Sequence, residues 1–242
     1  VEKLLTPSPQ RTVPFCRHFG VCGGCKWQHL EYAAQLEHKN QAVHDAFERI
    51  AKVPVQEFLP ILGAPETQYY RNKLEFAYSD KRWLLAGDEP GPGLGFHRAG
   101  FFDKVVDIQH CHLQAEPSNI IRNAAREIAL EQGLDFYDQR RHEGFLRNLM
   151  IRLTTTGEVM VLLSFARDEP DAIRAYLDAL LERVPGQITT LVYCINPKKN
   201  DTVFDLDMIT YLGEGFVVEQ LGDLRFKIGP KSFFQTNSRQ AK

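Results

Sequence analysis

Leu146–Phe165 reads LRNLMIRLTTTGEVMVLLSF. Leu146 to Thr155 and Glu158 to Phe165 are two strongly alternating runs, and they flank Thr156–Gly157. Successive side chains of a strand point to opposite faces, so alternation predicts strands. A short polar link containing glycine between two such runs predicts a hairpin. Toward the N-terminus, Leu74, Phe76 and Tyr78 alternate with Glu75, Ala77 and Ser79, a further strand, and Trp83 to Ala86 is its expected hairpin partner. Leu94 to His97 and Lys104 to Ile108 are expected as short strands. Toward the C-terminus, strands are expected at Thr189–Ile195, Thr202–Leu206, Phe216–Gln220 and Arg225–Ile228.

Helical spacing appears in three places. Leu30 to Lys52 carries Tyr32, Leu36, Val43, Phe47 and Ile50 on one face, which predicts a helix packed on a core by that stripe. Pro117 to Leu134 places proline in a first turn and Gly133 at the stop, with Ile120, Ile121, Ala124, Ile128 and Ala129 as the buried face. Pro170 to Arg183 is the third. Pro54, Pro60 and Pro65 mark a loop region between the first helix and the first strand. The sum is an α+β fold: a mixed, hairpin-rich antiparallel sheet with helices. Gly91, Gly93 and Gly95 form an alternating glycine run, but no strand-then-helix context surrounds it, so it is a turn feeding a strand and not a phosphate loop.

The chain has 242 residues, 43% hydrophobic and 25% charged, ordinary for a globular protein that can bury a core. No apolar run reaches the roughly 18 residues of a membrane span, and no signal peptide is evident. A net charge of −2 is low for a dedicated nucleic-acid module, so any RNA contact must use a local patch. The first residue is Val, which suggests a chain cut at its start. Five cysteines without a secretory signal fit a reducing cytoplasm and metal ligation better than disulfides.

Cys16, Cys22 and Cys25 fall in FCRHFGVCGGC, Phe15 to Cys25, with Gly20, Gly23 and Gly24 among them. Three thiolates in one glycine-rich loop can hold three corners of a metal site, and Cys111 in HCHLQ is the candidate fourth ligand. Three close cysteines plus a distant one suit an iron–sulfur cube. Zinc is the rival, but structural zinc favours paired knuckles, and only Cys22 and Cys25 form such a pair. Cys194, in LVYCIN, reads as a core cysteine.

Several stretches together resemble the RNA (uracil-5-)methyltransferases, in the branch with an iron–sulfur cluster acting on 23S ribosomal RNA. They are SPQRTVPFCRHFGVCGGCKWQHL, YYRNKLEFAY, LGFHRAGFFDKVVDIQHCHLQ, GFLRNLMIRLTTTGEVMVLL and KSFFQTNSRQA. The resemblance implies a [4Fe–4S] cluster on Cys16, Cys22, Cys25 and Cys111, and S-adenosylmethionine as methyl donor in the complete enzyme, with Gln235 contacting it. It divides the chain into residues 1–15, a linker from a missing β-barrel, 16–229, a central cluster- and RNA-binding domain, and 230–242, the start of a methyltransferase domain. No cysteine here matches the family's nucleophile, so the chain alone is expected to be inactive. In the complete enzyme a cysteine adds to carbon 6 of uracil, which lets carbon 5 attack the methyl group, on a base taken out of its stack.

For RNA contact the local clusters nominate Arg71, Lys73, Arg98 and Arg147, with Arg140 and Arg141 behind them. Phosphate contacts of this kind position without reading sequence, and Tyr70 or Phe101 could stack on splayed bases. The expected partner is RNA, ribosomal by resemblance, with a cytoplasmic monomer and no membrane. The alternatives are a stand-alone iron–sulfur or zinc RNA-binding module without catalysis, and an electron-transfer protein.

Overall fold

The structure, a computed structural model, describes residues 5–85 and 87–242. Residues 1–4 of the lead-in and Ala86, the end of the strand expected from Trp83, lie outside the described residues. The chain forms two compact units, residues 1–20 with 25–67, and residues 21–24 with 68–242.

In the smaller unit, helix α1 (Tyr32–Asp45) continues into a π-helical segment, Ala46–Ala51. It closes at Lys52 in the left-handed region, φ 53°. The helix lies where its spacing predicts, but its stripe does not pack on a core. Within α1 only Ala34 is buried, and Val43, Phe47 and Ile50 are 48%, 40% and 83% exposed. The helix meets a neighbouring loop instead. The Phe58 ring lies 3.8 Å from that of His44, and Ala64 N–H donates to the Tyr32 hydroxyl at 2.7 Å. Spacing identifies an apolar face but cannot say what covers it.

The larger unit is built on a seven-stranded sheet, β1 (Lys73–Ser79), β2 (Gly93–His97), β3 (Val105–Asp107), β4 (Leu146–Leu153), β5 (Val159–Phe165), β6 (Thr190–Ile195) and β7 (Ile209–Leu212). The order is β3-β2-β1-β4-β5-β6-β7. The β4–β5 hairpin pairs Leu149 with Leu163 and Ile151 with Val161. On its other side β4 pairs with β1, Phe76 opposite Leu149. Both central strands are covered on two faces, which is why β5 is buried along its whole length.

Helices α2 (Ser118–Glu131) and α3 (Pro170–Arg183) cover one face. Tyr176 joins them to the sheet: its hydroxyl donates to the Ala125 carbonyl at 2.8 Å, accepts from Tyr78 at 2.7 Å, and its ring lies 6.2 Å from Phe165. On the opposite face a second hairpin, β8 (Val217–Leu221) and β9 (Leu224–Ile228), brings Val217 and Ile228 against Met150, Met160, Leu162, Val192 and Cys194. The helical expectations hold, including the Gly133 stop at φ 63°, although Ile120 faces outward, 49% exposed.

The expectation of a mixed sheet holds, and two strand expectations need correction. The sheet is mixed, because β5 and β6 run parallel; α3 is the crossover that a parallel pair requires. The hairpin partner of β1 is β2, with Ala77 opposite Gly95. Trp83 is not in a strand, although its N–H donates to the Val105 carbonyl at 2.7 Å. Thr202–Leu206 is not a strand either. Val203 and Leu206 pack under the sheet, and β7 is the edge strand that follows.

Candidate nucleic-acid interface

Gly23 N–H donates to the His97 carbonyl at 3.0 Å, and Cys22 bridges to Arg98. A Cβ at Gly23 would stand 2.7 Å from that same carbonyl, so only glycine allows this approach. Gly24 N–H points at Cys22 Sγ, 3.4 Å away. Cys111 is buried at the end of the β3 segment. Its N–H donates to Asn119 Oδ1 at 2.7 Å, the oxygen that also accepts from Arg122 at 2.8 Å. Burial lowers the Arg122 guanidinium to about 10, against the opposing influence of Cys111 and neighbouring acids. In the smaller unit Cys16 N–H donates to Gln28 Oε1 at 3.2 Å.

The donor chemistry around Cys22 and Cys111 suits thiolates. Among the described residues no group of three or more His, Cys, Asp or Glu side chains is arranged to hold a metal ion. The cysteine cluster therefore rests on the sequence. Cys194 is fully buried, and burial pushes its thiol up; it is a core residue, as its apolar setting predicts.

The basic residues fall into different roles. Arg147 is fully buried. Its guanidinium donates to the carbonyls of Asn196 (2.8 Å), Lys198 and Asn200 (2.9 Å) and to Asp201 at 2.8 Å, and lies 4.2 Å from the Tyr137 ring centre. Fully buried and with both terminal nitrogens bonded, it anchors loop 196–201, and its expected RNA contact is corrected. Lys73 is paired with Glu75 at 2.8 Å. Arg140 is paired with Asp103, and Arg141 with Asp138 at 2.8 Å.

Arg98 stacks its guanidinium 4.0 Å from the Trp83 ring centre and 4.7 Å from that of Phe101, and Lys104 lies over the same two rings. Phe101 and Phe102 are 38% and 66% exposed there. Flat cations and exposed rings side by side form the kind of surface on which splayed bases stack.

A second locus surrounds the start of β1. Asn72 Nδ2 donates to the Gln235 carbonyl at 2.7 Å and to the Ser238 hydroxyl at 2.8 Å. Ser238 in turn donates to the buried carboxylate of Glu219 at 2.7 Å, which also accepts the Thr155 N–H at 2.9 Å. Arg152, itself buried, holds the Ser232 carbonyl at 3.0 Å. The segment KSFFQTNSRQ is thus pinned to β1, β4 and β8, while the Gln235 side chain is left exposed. Beside this knot is a recess of about 230 Å³ between the Tyr69–Asn72 stretch, the β4–β5 turn and Arg239. Sequence reasoning missed Asn72, Glu219 and Ser238, because a buried polar knot leaves no local pattern.

No protein-family model matches the chain. Curated relatives do. An uncharacterised RNA methyltransferase of Porphyromonas gingivalis is 52% identical, covering 100% of this chain and 54% of its own length. One from Bacteroides thetaiotaomicron is 47% identical, covering 97% and 54%. One from Chlorobaculum tepidum is 39% identical, covering 99% and 51%. The chain is similar along its length to these RNA methyltransferases and spans about half of theirs. Among solved structures it is similar to the Pyrococcus abyssi tRNA (uracil-54, C5)-methyltransferase in complex with S-adenosyl-L-homocysteine. That match has a TM-score of 0.70 and 28% identity, over 99% of this chain and 50% of that one.

Proposed function

We propose that this chain is the RNA-holding portion of an S-adenosylmethionine-dependent RNA uracil carbon-5 methyltransferase. The observation that carries the reading is the whole-length likeness, in sequence and fold, to half of such an enzyme. S-adenosylmethionine supplies the methyl group. In this proposal the chain's own residues bind and orient. Arg98, Lys104 and the rings beside them hold splayed RNA, and Arg71 and Lys73 hold phosphates at the mouth of β1. The exposed Gln235 amide reaches the methyl donor from a backbone fixed by Asn72. None of the five cysteines acts as nucleophile, so the chain alone transfers no methyl group.

The resemblance of the cysteine loop favours 23S ribosomal RNA, whereas the solved neighbour is named for a tRNA. The decisive experiment incubates the full-length gene product with labelled S-adenosylmethionine and either 23S or tRNA transcript. We expect 5-methyluridine in one of them after nucleoside digestion. RNA binding without methylation of either would favour the stand-alone module. The iron–sulfur centre enters the proposal through Cys16, Cys22, Cys25 and Cys111 as read from sequence. Anaerobically purified protein should contain iron and acid-labile sulfide, and Cys111→Ser should lose both. Stoichiometric zinc without iron would replace the cluster by the rival reading.

A further inference from the structure

A recess lies at the start of β1. Three carboxylates line it, and each is already satisfied from within. Glu116 accepts from the N–H groups of Asn119 and Ile120. Glu158 accepts the Val218 N–H at 2.7 Å, and Glu219 is held by Thr155 and Ser238. Arg71 is different: among the described residues its half-buried guanidinium has no carboxylate partner, and its Nε is buried without a hydrogen bond. A half-buried cation without a carboxylate partner, facing a polar recess, is completed by an anion from outside.

The rim is also fixed in an unusual way. Tyr69 is held in the left-handed region, φ 54°, a conformation that bulky side chains rarely adopt. Its N–H donates to the His112 carbonyl at 2.7 Å, and its hydroxyl is shared between His110 Nε2 (3.1 Å) and His112 Nδ1 (2.9 Å). Backbone strain that the surroundings maintain is a pointer to function. Here it holds an aromatic ring, 41% exposed, at the lip of the recess. The recess is small, about 230 Å³, below the ~300 Å³ at which drug-sized pockets begin, and open to solvent, which matches one unit of a strand that continues outside it.

We propose that this recess seats a single phosphorylated nucleotide of single-stranded RNA, its phosphate on Arg71 and its base or ribose against Tyr69. The site is a grip on the substrate, separate from the Trp83–Phe101 surface, and it rests on the reading of the protein as an RNA methyltransferase. The test measures binding of a labelled single-stranded substrate fragment to the full-length protein over a range of salt. Arg71→Ala should raise Kd about tenfold and reduce the slope of log affinity against log salt by about 0.7, the value of one phosphate contact on a single strand. Arg71→Lys keeps the charge and should keep the slope. Tyr69→Ala should weaken binding about tenfold with the slope unchanged. Unchanged S-adenosylmethionine affinity confirms that each variant is folded. Wild-type affinity and slope in Arg71→Ala, with methylation intact, overturn the recess alone. A wild-type protein that neither binds nor methylates RNA overturns the recess and the reading beneath it together.

Discussion

Individual side chains carry more of this fold than their types suggest. The Tyr78 and Tyr176 hydroxyls are buried and bonded in a chain that ends on the Ala125 carbonyl, and burial pushes both phenols well above their ordinary range. The direction of the chain makes the two positions unequal. Tyr78→Phe removes a terminal donor and should cost ~1 kcal/mol, whereas Tyr176→Phe strands the Tyr78 hydroxyl and should cost ~2–3 kcal/mol; urea unfolding of both variants checks the order. Asp138 is the residue to watch in acid. Burial would raise its carboxyl, but the Lys81 ammonium and the N–H groups of Arg140 and Arg141 together hold it well below the usual carboxylate range. Its folded value lies below the unfolded ~3.9, so its stabilisation is complete above about pH 4 and is lost as pH falls further. Asp138→Asn should flatten the pH dependence of thermal stability between about pH 4 and 2, with the largest loss relative to wild type near neutrality. A wild-type slope in that window would remove Asp138 as its cause. Arg147 and Arg152 show the limit of reading charge from sequence. Arg147 reads from sequence as a surface RNA contact and Arg152 gives no signal; both are buried, Arg147 tying the backbone of loop 196–201 and Arg152 holding the Ser232 carbonyl.

At the level of elements, what the sequence shows is what is local. Gly157 between two alternating runs gives the β4–β5 hairpin, and Gly133 ends α2, because a turn or a stop is decided by a few adjacent residues. What pairs with what is not local. The parallel β5–β6 register depends on where α3 lays the chain down, and LVYCIN is equally apolar in either direction. Trp83 falls short of a strand because only an isolated bridge at Arg82 and a single N–H bond to Val105 form there, with its ring lying against Arg98. The glycines of the Gly91–Gly95 run have a purely architectural use. A Cβ at Gly95 would fall on the Val106 carbonyl and against Ile108, and one at Gly93 would crowd Arg82 and Asp107. Gly95→Ala should cost ~3 kcal/mol by overpacking where β2 meets β3, without altering phosphate or nucleotide affinity. Thermal unfolding together with a nucleotide titration checks both halves. A selective loss of nucleotide binding at wild-type stability would restore the phosphate-loop interpretation.

For the molecule as a whole, the candidate sites lie where residues far apart in sequence meet, which is why they were only partly legible. The YYRNK and SFFQTN stretches are both visible in the sequence. That Asn72 binds Gln235 and Ser238 across more than half the chain is not. The same holds for the recess, whose walls come from five separate segments. Asn72→Ala should leave the sheet intact yet raise the Kd of the full-length protein for S-adenosylmethionine several-fold, because it releases the backbone under Gln235. Calorimetric titration measures it, and an unchanged Kd would remove Gln235 from the donor site. The carboxylate of Glu219 links the β4–β5 turn to Ser238 from inside the protein. Peeling that segment away would abandon a negative charge in a place water does not reach. The stretch from Lys231 onward therefore behaves as a stiff lever keyed into the sheet, and displacement at Ser238 is transmitted to the strands instead of being absorbed by a slack tether.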